Sequence, residues 1–280
     1  LLPPIALPLV RRVVTRFRNG RPEWAVVREG WRDDDPRQGG WHHPSVVEAQ
    51  RGRWPDFLAA VQGTGPLGVS HEARHIIQDN PGAHNAILCF LHAVSRAGFA
   101  ASAKPLRVLD WGGGLGYYAA IARAALPELT LDYTVKEIRP VCEAGRALLP
   151  GVTFEAQEEA ALARRYDLVF ASNALQYSQH WAALLRRFAA AAPGRFVFLT
   201  RIPMVRNAAD FVVVQRPHWA GYRTEYISWT FNRDTFLQEA TQAGLVLERE
   251  FLMLDDPTVI PGSPEPIRNG SFLFRSTAGG

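Results

Sequence analysis

The chain has 280 residues, of which 47% are apolar and 11% aromatic, and this composition is typical of a globular protein with a sizeable core. No apolar run approaches the length of a membrane span, and two cysteines, Cys89 and Cys142, exclude a disulfide framework. The formal charge of +4 comes from scattered arginines without a nucleic-acid-binding motif, so we do not expect nucleic acid as a partner.

The chain begins with an apolar and then basic segment. Val10, Val13, Val14 and Phe17 follow helical spacing, and most of the neighbouring arginines fall on the other side. Two interpretations stay open for residues 1–18: a helix that packs on the domain, or an anchor that contacts a membrane surface. Prolines interrupt the apolar run, which argues against a signal peptide. We therefore expect a cytoplasmic protein, with peripheral membrane contact as the alternative.

The pattern of residues 20–100 predicts a loop followed by helices. Residues 20–66 are rich in Trp, Pro, Gly and Asp, and we expect a loop there followed by a helix from about Pro44 to Val61. Ile87, Leu91 and Val94 form a second helical stripe. Residues 1–104 are accordingly predicted to form an N-terminal arm and a helical cap.

The segment "HEARH" between these helices matches a zinc-peptidase motif. In H-E-x-x-H, His71 and His75 would lie on one helix face as zinc ligands, with Glu72 as the base. Ser70 is a candidate N-cap, but Asn80-Pro81-Gly82 would end such a helix within about two turns. A short capping helix is the preferred interpretation, and a third is that His71 or His75 borders a substrate pocket.

From Pro105 onward, strand and helix patterns alternate. The predicted strands are "LRVLDWG", "LDYTVKEI", "VTFEA", "YDLVFASNAL" and "RFVFLTRI", separated by helices such as "YYAAIARAAL". This alternation predicts βαβ units and a doubly wound parallel sheet of Rossmann-like α/β type over residues 105–280. After the helix "RDTFLQEATQAGL", the strands "LVLEREFLML" and "GSFLFRS" have no helix between them, so the last strand is expected to be antiparallel.

A glycine-rich turn, "VLDWGGGLGYY", follows the first of these strands. Asp110 ends the strand, Gly112, Gly114 and Gly116 alternate through the turn, and Glu137 closes the next strand. Neighbouring strand ends share one crevice in such a sheet, so Glu137 should face the same ligand as the glycines. The spacing departs from the dinucleotide fingerprint G-x-G-x-x-G, which indicates a nucleoside ligand without a pyrophosphate.

The stretch from Arg107 to Arg275 resembles class I S-adenosylmethionine-dependent methyltransferases. "LDWGGGLG" is similar to their first cofactor motif, "VKEI" to the second and "YDLVFASNALQY" to the motif of the fourth strand. Together with "FVVVQRP" and "YISWTF", these motifs also resemble a small bacterial branch of such enzymes, found among polysaccharide or specialised-metabolite genes.

The resemblance implies S-adenosylmethionine as the cofactor. Asp110 and the loop glycines would hold its methionyl end, and Glu137 would bind the ribose hydroxyls. Gln157 or Glu158 would lie near the adenine, and Asn173 would line the methionyl side.

An acceptor must then meet the methyl group. We expect a small-molecule or sugar-type acceptor and favour O-methylation over N- or C-methylation, without a metal ion. A hydroxyl acceptor usually needs a base, and the candidates are His84, His75 and His180. Candidate acceptor contacts are Asn85, Tyr177, Tyr222 and Tyr226. The last two belong to the unusually aromatic segment from Gln215 to Phe231, which is expected to be a connection after the fifth predicted strand and either a wall of the acceptor site or core packing under the cap. A non-catalytic cofactor-binding or scaffold protein of the same fold is the alternative.

Overall fold

The α-helices and strands of the chain are visible in a computed structural model that describes residues 17–18, 21–71, 75–101 and 105–279. Within these ranges the helices α1 to α7 span Pro44–Gln62, Pro81–Ala100, Tyr117–Ala125, Arg139–Leu148, Glu158–Leu162, Trp181–Ala191 and Arg233–Gln242. The strands β1 to β12 span Phe17–Arg18, Arg21–Pro22, Trp24–Val27, Leu106–Trp111, Leu131–Lys136, Thr153–Glu155, Leu168–Ser172, Phe196–Val205, Phe211–Gln215, Tyr226–Asn232, Leu245–Glu250 and Arg268–Ser276.

The central sheet confirms the predicted Rossmann-like fold. Strands β6, β5, β4, β7 and β8 are neighbours in that order and pair in parallel. The chain fills one side of β4 with β5 and β6 and then crosses to β7 and β8 on the other side. Such a reversal opens a crevice at the carboxyl ends of β4 and β7, where ligands bind in open α/β sheets. As predicted, β12 joins β8 antiparallel and also pairs with β11.

Helices cover both faces of this sheet. Along β4, Val108 belongs to a core cluster shared with α1, α2 and α3, whereas Leu109 belongs to one shared with α6 and α7. Successive strand residues point to opposite faces, and every residue of β4 except Arg107 is buried. The near-continuous apolar run of this strand is therefore explained by burial on both sides.

The sheet curls beyond the carboxyl end of β7. The first residues of β8 pair with β7, whereas Met204 and Val205 pair in parallel with Phe231 and Asn232 of β10. Antiparallel pairing then adds β9 and β3. The extension brings the start of β10 back toward the crevice and makes one wall of it.

Two parts of this extension differ from the sequence prediction. Residues 215–231 were expected to form an aromatic connection, but β10 begins at Tyr226 within that segment and only residues 216–225 connect it to β9. The strand β3 was not predicted within the helical cap, and it pairs with β9 in the main sheet. The division at residue 104 into cap and cofactor domain stays a prediction.

The predicted N-terminal helix falls largely outside the described residues, because residues 1–16 are not among them. At Phe17–Arg18 the chain is extended and pairs with Arg21–Pro22. The proposed membrane anchor likewise lies outside the described part of the chain. Among the described helices, none has the length and apolar character needed to cross a membrane.

Candidate active site

A cavity of about 360 Å³ opens at the carboxyl ends of β4, β5 and β7. Its floor is the glycine turn after β4 together with the ends of the adjoining strands. The opposite wall comes from a short 3-10 helix at Pro36–His42, from α1 and from the connection between β9 and β10. The cavity therefore joins the predicted cofactor motifs to residues far away in the sequence.

The glycine turn requires glycine for conformational and steric reasons. Gly112 lies at φ 72° and Gly114 at φ 59°, in the left-handed region that side chains disfavour. A Cβ at Gly112 would also lie 2.6 Å from the Cβ of Ala174. The turn thus packs tightly against the end of β7 and leaves its cavity side as bare backbone. Gly116, at φ 90°, is the N-cap of α3 and does not line the cavity.

Glu137 links the turn to the end of β5. Its Oε1 accepts a hydrogen bond from the Gly114 amide at 3.2 Å, and its Oε2 accepts one from the Ile138 amide at 2.7 Å. Burial raises the pKa of Glu137, and the two amide bonds together with nearby Lys136 oppose that rise. The carboxylate is held in one orientation at the cavity wall, with lone pairs left for a ligand.

Asp110 is a deeply buried acid under the same turn. It is 1% exposed, and its Oδ2 accepts a hydrogen bond from the Tyr133 hydroxyl at 3.0 Å. Burial raises the pKa of Asp110 to about 8, the Tyr133 hydrogen bond lowers it, and the nearby charge of Glu137 raises it. Two acids with raised pKa values at one end of a cavity are typical of a functional site. A cation placed there would favour the ionised form of both.

The wall facing these acids is aromatic. Trp41 stacks on Tyr226 with ring centroids 4.1 Å apart, and Tyr177 meets Tyr226 edge to face at 5.2 Å. The rings of Tyr222 and Trp41 also meet edge to face, with their centroids 6.2 Å apart. These rings come from the 3-10 helix at Pro36–His42, from a second 3-10 helix at Leu175–Tyr177 after β7, from the connection between β9 and β10, and from the first residue of β10. They give the cavity an apolar side opposite its acidic side.

A polar network lies behind the aromatic wall. The Tyr222 oxygen accepts hydrogen bonds from Gln50 Nε2 and from Arg53 Nη2, each at 3.3 Å. Arg53 Nη1 also donates to the Ala220 carbonyl at 2.8 Å. Gln50 and Arg53 are both 7% exposed although they are polar. The network fixes α1 against the connection between β9 and β10.

The cavity brings together six of the eight residues predicted to bind the cofactor and three of the four predicted to contact the acceptor. The predicted residues among its lining are Asp110, Gly112, Gly114, Glu137, Glu158, Asn173, Tyr177, Tyr222 and Tyr226. Those that do not line it are Gly116, Gln157, His75, His84, Asn85 and His180. His75 and His180 are exposed, and His84 and Asn85 lie in the first turns of α2.

His71 lines the cavity, as one of the interpretations of "HEARH" anticipated. Its ring stacks on Tyr117 at 4.4 Å. His71 lies in a turn and His75 in a bend, so the capping helix expected there was wrong at both of these residues. Glu72 lies outside the described residues. Within the described residues, no three His, Cys, Asp or Glu side chains are grouped to hold a metal ion.

Several lining residues were not predicted from the sequence. Trp41 lies in a segment that was interpreted only as a loop, and Gln50 is a polar residue on the buried face of α1. Lys136 places its ammonium 4.9 Å from the ring centroid of Trp111 beside the cavity. No sequence signal marks Gln50 and Arg53, because polar residues in a helix are usually exposed and these two are buried only by the packing of α1.

Comparison with known proteins identifies the family of this chain. A family described as a methyltransferase domain matches residues 83–250. No curated protein sequence matches the chain at a significant level.

Similar solved structures include an S-adenosylmethionine-dependent methyltransferase from Mesorhizobium loti, with 20% identity and a TM-score of 0.47 over 70% of this chain and 99% of that one. The CcbJ methyltransferase from Streptomyces caelestis has 17% identity and a TM-score of 0.47, over 71% of this chain and 90% of that one. Human N-acetylserotonin methyltransferase has 14% identity and a TM-score of 0.48, over 83% of this chain and 58% of that one. With the family match covering more than half of its residues, the chain belongs to the methyltransferase domain family and is an S-adenosylmethionine-dependent methyltransferase.

Proposed function

We propose that this enzyme transfers the methyl group of S-adenosylmethionine to a hydroxyl group of a small-molecule or sugar-type acceptor. One observation carries the proposal: two acids, a glycine turn and a group of aromatic rings line the same cavity. The acids provide a place for the cofactor, and the aromatic wall provides a place for the acceptor next to it.

The donor groups on the acidic side fit this cofactor. Glu137 has two oxygens fixed by backbone amides and keeps lone pairs for two ribose hydroxyl donors. Asp110 and the backbone of the glycine turn would hold the methionyl end, where an ammonium group would favour the ionised carboxylate. Glu158 and Asn173 line the same cavity and would contact the adenine and the methionyl side. Gln157 and Gly116 do not line the cavity, so they would affect cofactor binding only through the course of the backbone around it.

When bound, the cofactor supplies an electrophilic methyl group on a sulfonium. The chain has to align the acceptor with that methyl group and to exclude water. In this proposal Tyr177, Tyr222 and Tyr226 contact the acceptor, and it is supported by the fact that all three line the cavity and contact Trp41. Asn85 was predicted as a fourth contact, but the proposal does not use it because its side chain lies outside the lining.

The preference for oxygen over nitrogen or carbon rests on the polar network at Tyr222, which offers a hydroxyl acceptor a polar partner in an apolar wall. The histidines predicted as bases, His75, His84 and His180, stay predictions that this geometry does not support. The two free, buried cysteines agree with a reducing compartment such as the cytoplasm.

The test is methyl transfer from S-adenosylmethionine to a panel of phenols, sugars and primary amines, with release of S-adenosylhomocysteine as the readout. We expect turnover with a hydroxyl compound and methylation of its oxygen. Methylation of amines alone would contradict O-methylation. Tight cofactor binding without turnover of any compound in a broad panel would favour the non-catalytic alternative.

A further inference from the structure

Arg53 carries a positive charge that no described carboxylate neutralises. Its side chain is buried on α1, and its hydrogen bonds go to a backbone carbonyl and to the Tyr222 hydroxyl. Its Nε is buried without a hydrogen-bond partner in the described structure. Buried charges are normally paired, because transfer from water is costly. A guanidinium is charged at every working pH, so its partner has to be found among the groups it faces.

The side chain that Arg53 contacts toward the cavity is Tyr222, through its phenolic oxygen and through its ring, whose centroid lies 5.7 Å from the guanidinium carbon. Arg53 Nη2 and Gln50 Nε2 both donate to that oxygen. Two donors on one oxygen, of which one is a full cation, stabilise negative charge there. Burial of Tyr222 at 6% exposure opposes ionisation but also strengthens the attraction to Arg53.

Other charged groups around Tyr222 leave this interaction in place. In the connection, His218 Nδ1 lies 3.3 Å from the Tyr222 carbonyl oxygen, and Glu225 forms an ion pair with Arg216. From α1, Glu48 pairs with Arg223 on the exposed side. His42 of the 3-10 helix lines the same cavity, as does the phenol of Tyr226 in β10. The two neighbouring carboxylates are thus paired with arginines of their own.

We propose that Tyr222 is the general base of the methyl transfer, with Arg53 and Gln50 as positioning residues that stabilise its phenolate. The inference rests on the proposed function, since it requires a hydroxyl acceptor in this cavity. The O–H bond of the acceptor breaks and its proton passes to the Tyr222 oxygen, while the acceptor oxygen forms its bond to the methyl group. The electron pair of the broken carbon–sulfur bond stays on sulfur, and Tyr222 afterwards releases the proton to solvent.

The direct test is the ionisation of tyrosines in the folded protein, followed by ultraviolet difference absorbance as the pH is raised. The chain has seven tyrosines. We expect one of them to ionise at lower pH than the others, and this early step to be missing in Tyr222→Phe. Arg53→Gln should move the step upward by about 1 to 3 pH units, the effect of removing an adjacent opposite charge. Gln50→Leu should move it upward by less.

Tyr166→Phe is the matched control. The Tyr166 hydroxyl is also buried and donates to the Ala161 carbonyl at 2.8 Å, but it lies outside the cavity. Burial raises the pKa of Tyr166, so its removal should leave the early step intact.

The proposal is overturned if the early step is absent from the wild type or persists in Tyr222→Phe. It is also overturned if neither Arg53→Gln nor Gln50→Leu shifts the step; the second variant keeps the test informative if the first does not fold. Binding of S-adenosylhomocysteine, measured on the same samples, separates the two claims. Intact binding with a late Tyr222 ionisation would contradict the base assignment alone, whereas loss of binding in the wild type would contradict the proposed function.

Discussion

At the scale of single residues, the site depends on two acids, of which Asp110 is buried and Glu137 is half-buried at the cavity wall. Asp110 and Glu137 come from neighbouring strands, and their burial makes the cavity without a ligand a poor environment for negative charge. The same burial makes it a good environment for a cation that arrives with its own positive charge. The glycine turn packs directly on the Asp110 carboxyl group and helps to bury it. A Cβ at Gly113 would lie 2.5 Å from that carboxyl group, so only glycine allows this contact.

The raised pKa of Asp110 predicts how the stability of the protein depends on pH. Unfolded Asp110 ionises near its ordinary value of 3.8, whereas folded Asp110 ionises near 8. Between these values the folded state binds a proton that the unfolded state has lost, so this group makes the free energy of unfolding fall as the pH rises from about 4 to about 8. Glu137, whose pKa is also raised, acts in the same direction.

Asp110→Asn removes the titration and keeps an oxygen that can accept from Tyr133. Urea unfolding at pH 5 and at pH 8, without cofactor, should therefore show a smaller loss of stability in Asp110→Asn than in the wild type. Equal losses in the two proteins would show that the ionisation of Asp110 does not contribute.

At the scale of elements, the sequence predicted the strands that are buried on both faces and missed those of the curled extension. The apolar runs of β4 and β7 are long and are separated by helical patterns, so their pairing follows from the chain order. By contrast, β9 and β10 flank a segment with Pro217 and Gly221, and this punctuation together with many aromatic residues favoured a connection. The strand β3 has four residues and pairs far away along the chain, so local sequence holds little information about it.

The 3-10 helix at Pro36–His42 depends on a glycine for its close contact with the rest of the cavity wall. Its backbone lies directly against the connection between β9 and β10, and a Cβ at Gly40 would be 2.1 Å from the Glu225 carbonyl oxygen. The Thr224 hydroxyl donates to the Gly40 carbonyl at 3.0 Å. Gly40→Ala should therefore push the helix outward and displace Trp41 from the aromatic wall.

Gly39→Ala is the natural control for this substitution, because a Cβ at Gly39 meets nothing within 4 Å. We expect Gly40→Ala to lower the free energy of unfolding by about 1–3 kcal/mol, as overpacking does, and Gly39→Ala to change it by less than about 0.5 kcal/mol. Thermal or urea unfolding of the pair measures this difference. Equal stability of the two variants would contradict the close contact.

At the scale of the whole molecule, the cofactor side and the acceptor side of the cavity differ in how far the sequence predicts them. The cofactor side comes from one continuous α/β pattern, so Asp110 and Glu137 could be placed together from strand order alone. The acceptor side joins α1 to the connection between β9 and β10, and the hydrogen bond from Gln50 to Tyr222 spans 172 positions. Tyr222 could be nominated from its aromatic segment, but Gln50 and Arg53 become visible only when tertiary packing buries them.

The central claim is that this cavity holds the cofactor through Glu137. Titration calorimetry of S-adenosylhomocysteine into the wild type, Glu137→Ala and the control Glu143→Ala, which changes an exposed acid on α4, tests it most directly. We expect the wild type and Glu143→Ala to bind one equivalent with equal affinity. Glu137→Ala should bind more weakly by about 1–3 kcal/mol, the cost of leaving buried polar partners unpaired. Equal affinity in all three proteins, or no binding by the wild type, would contradict the account.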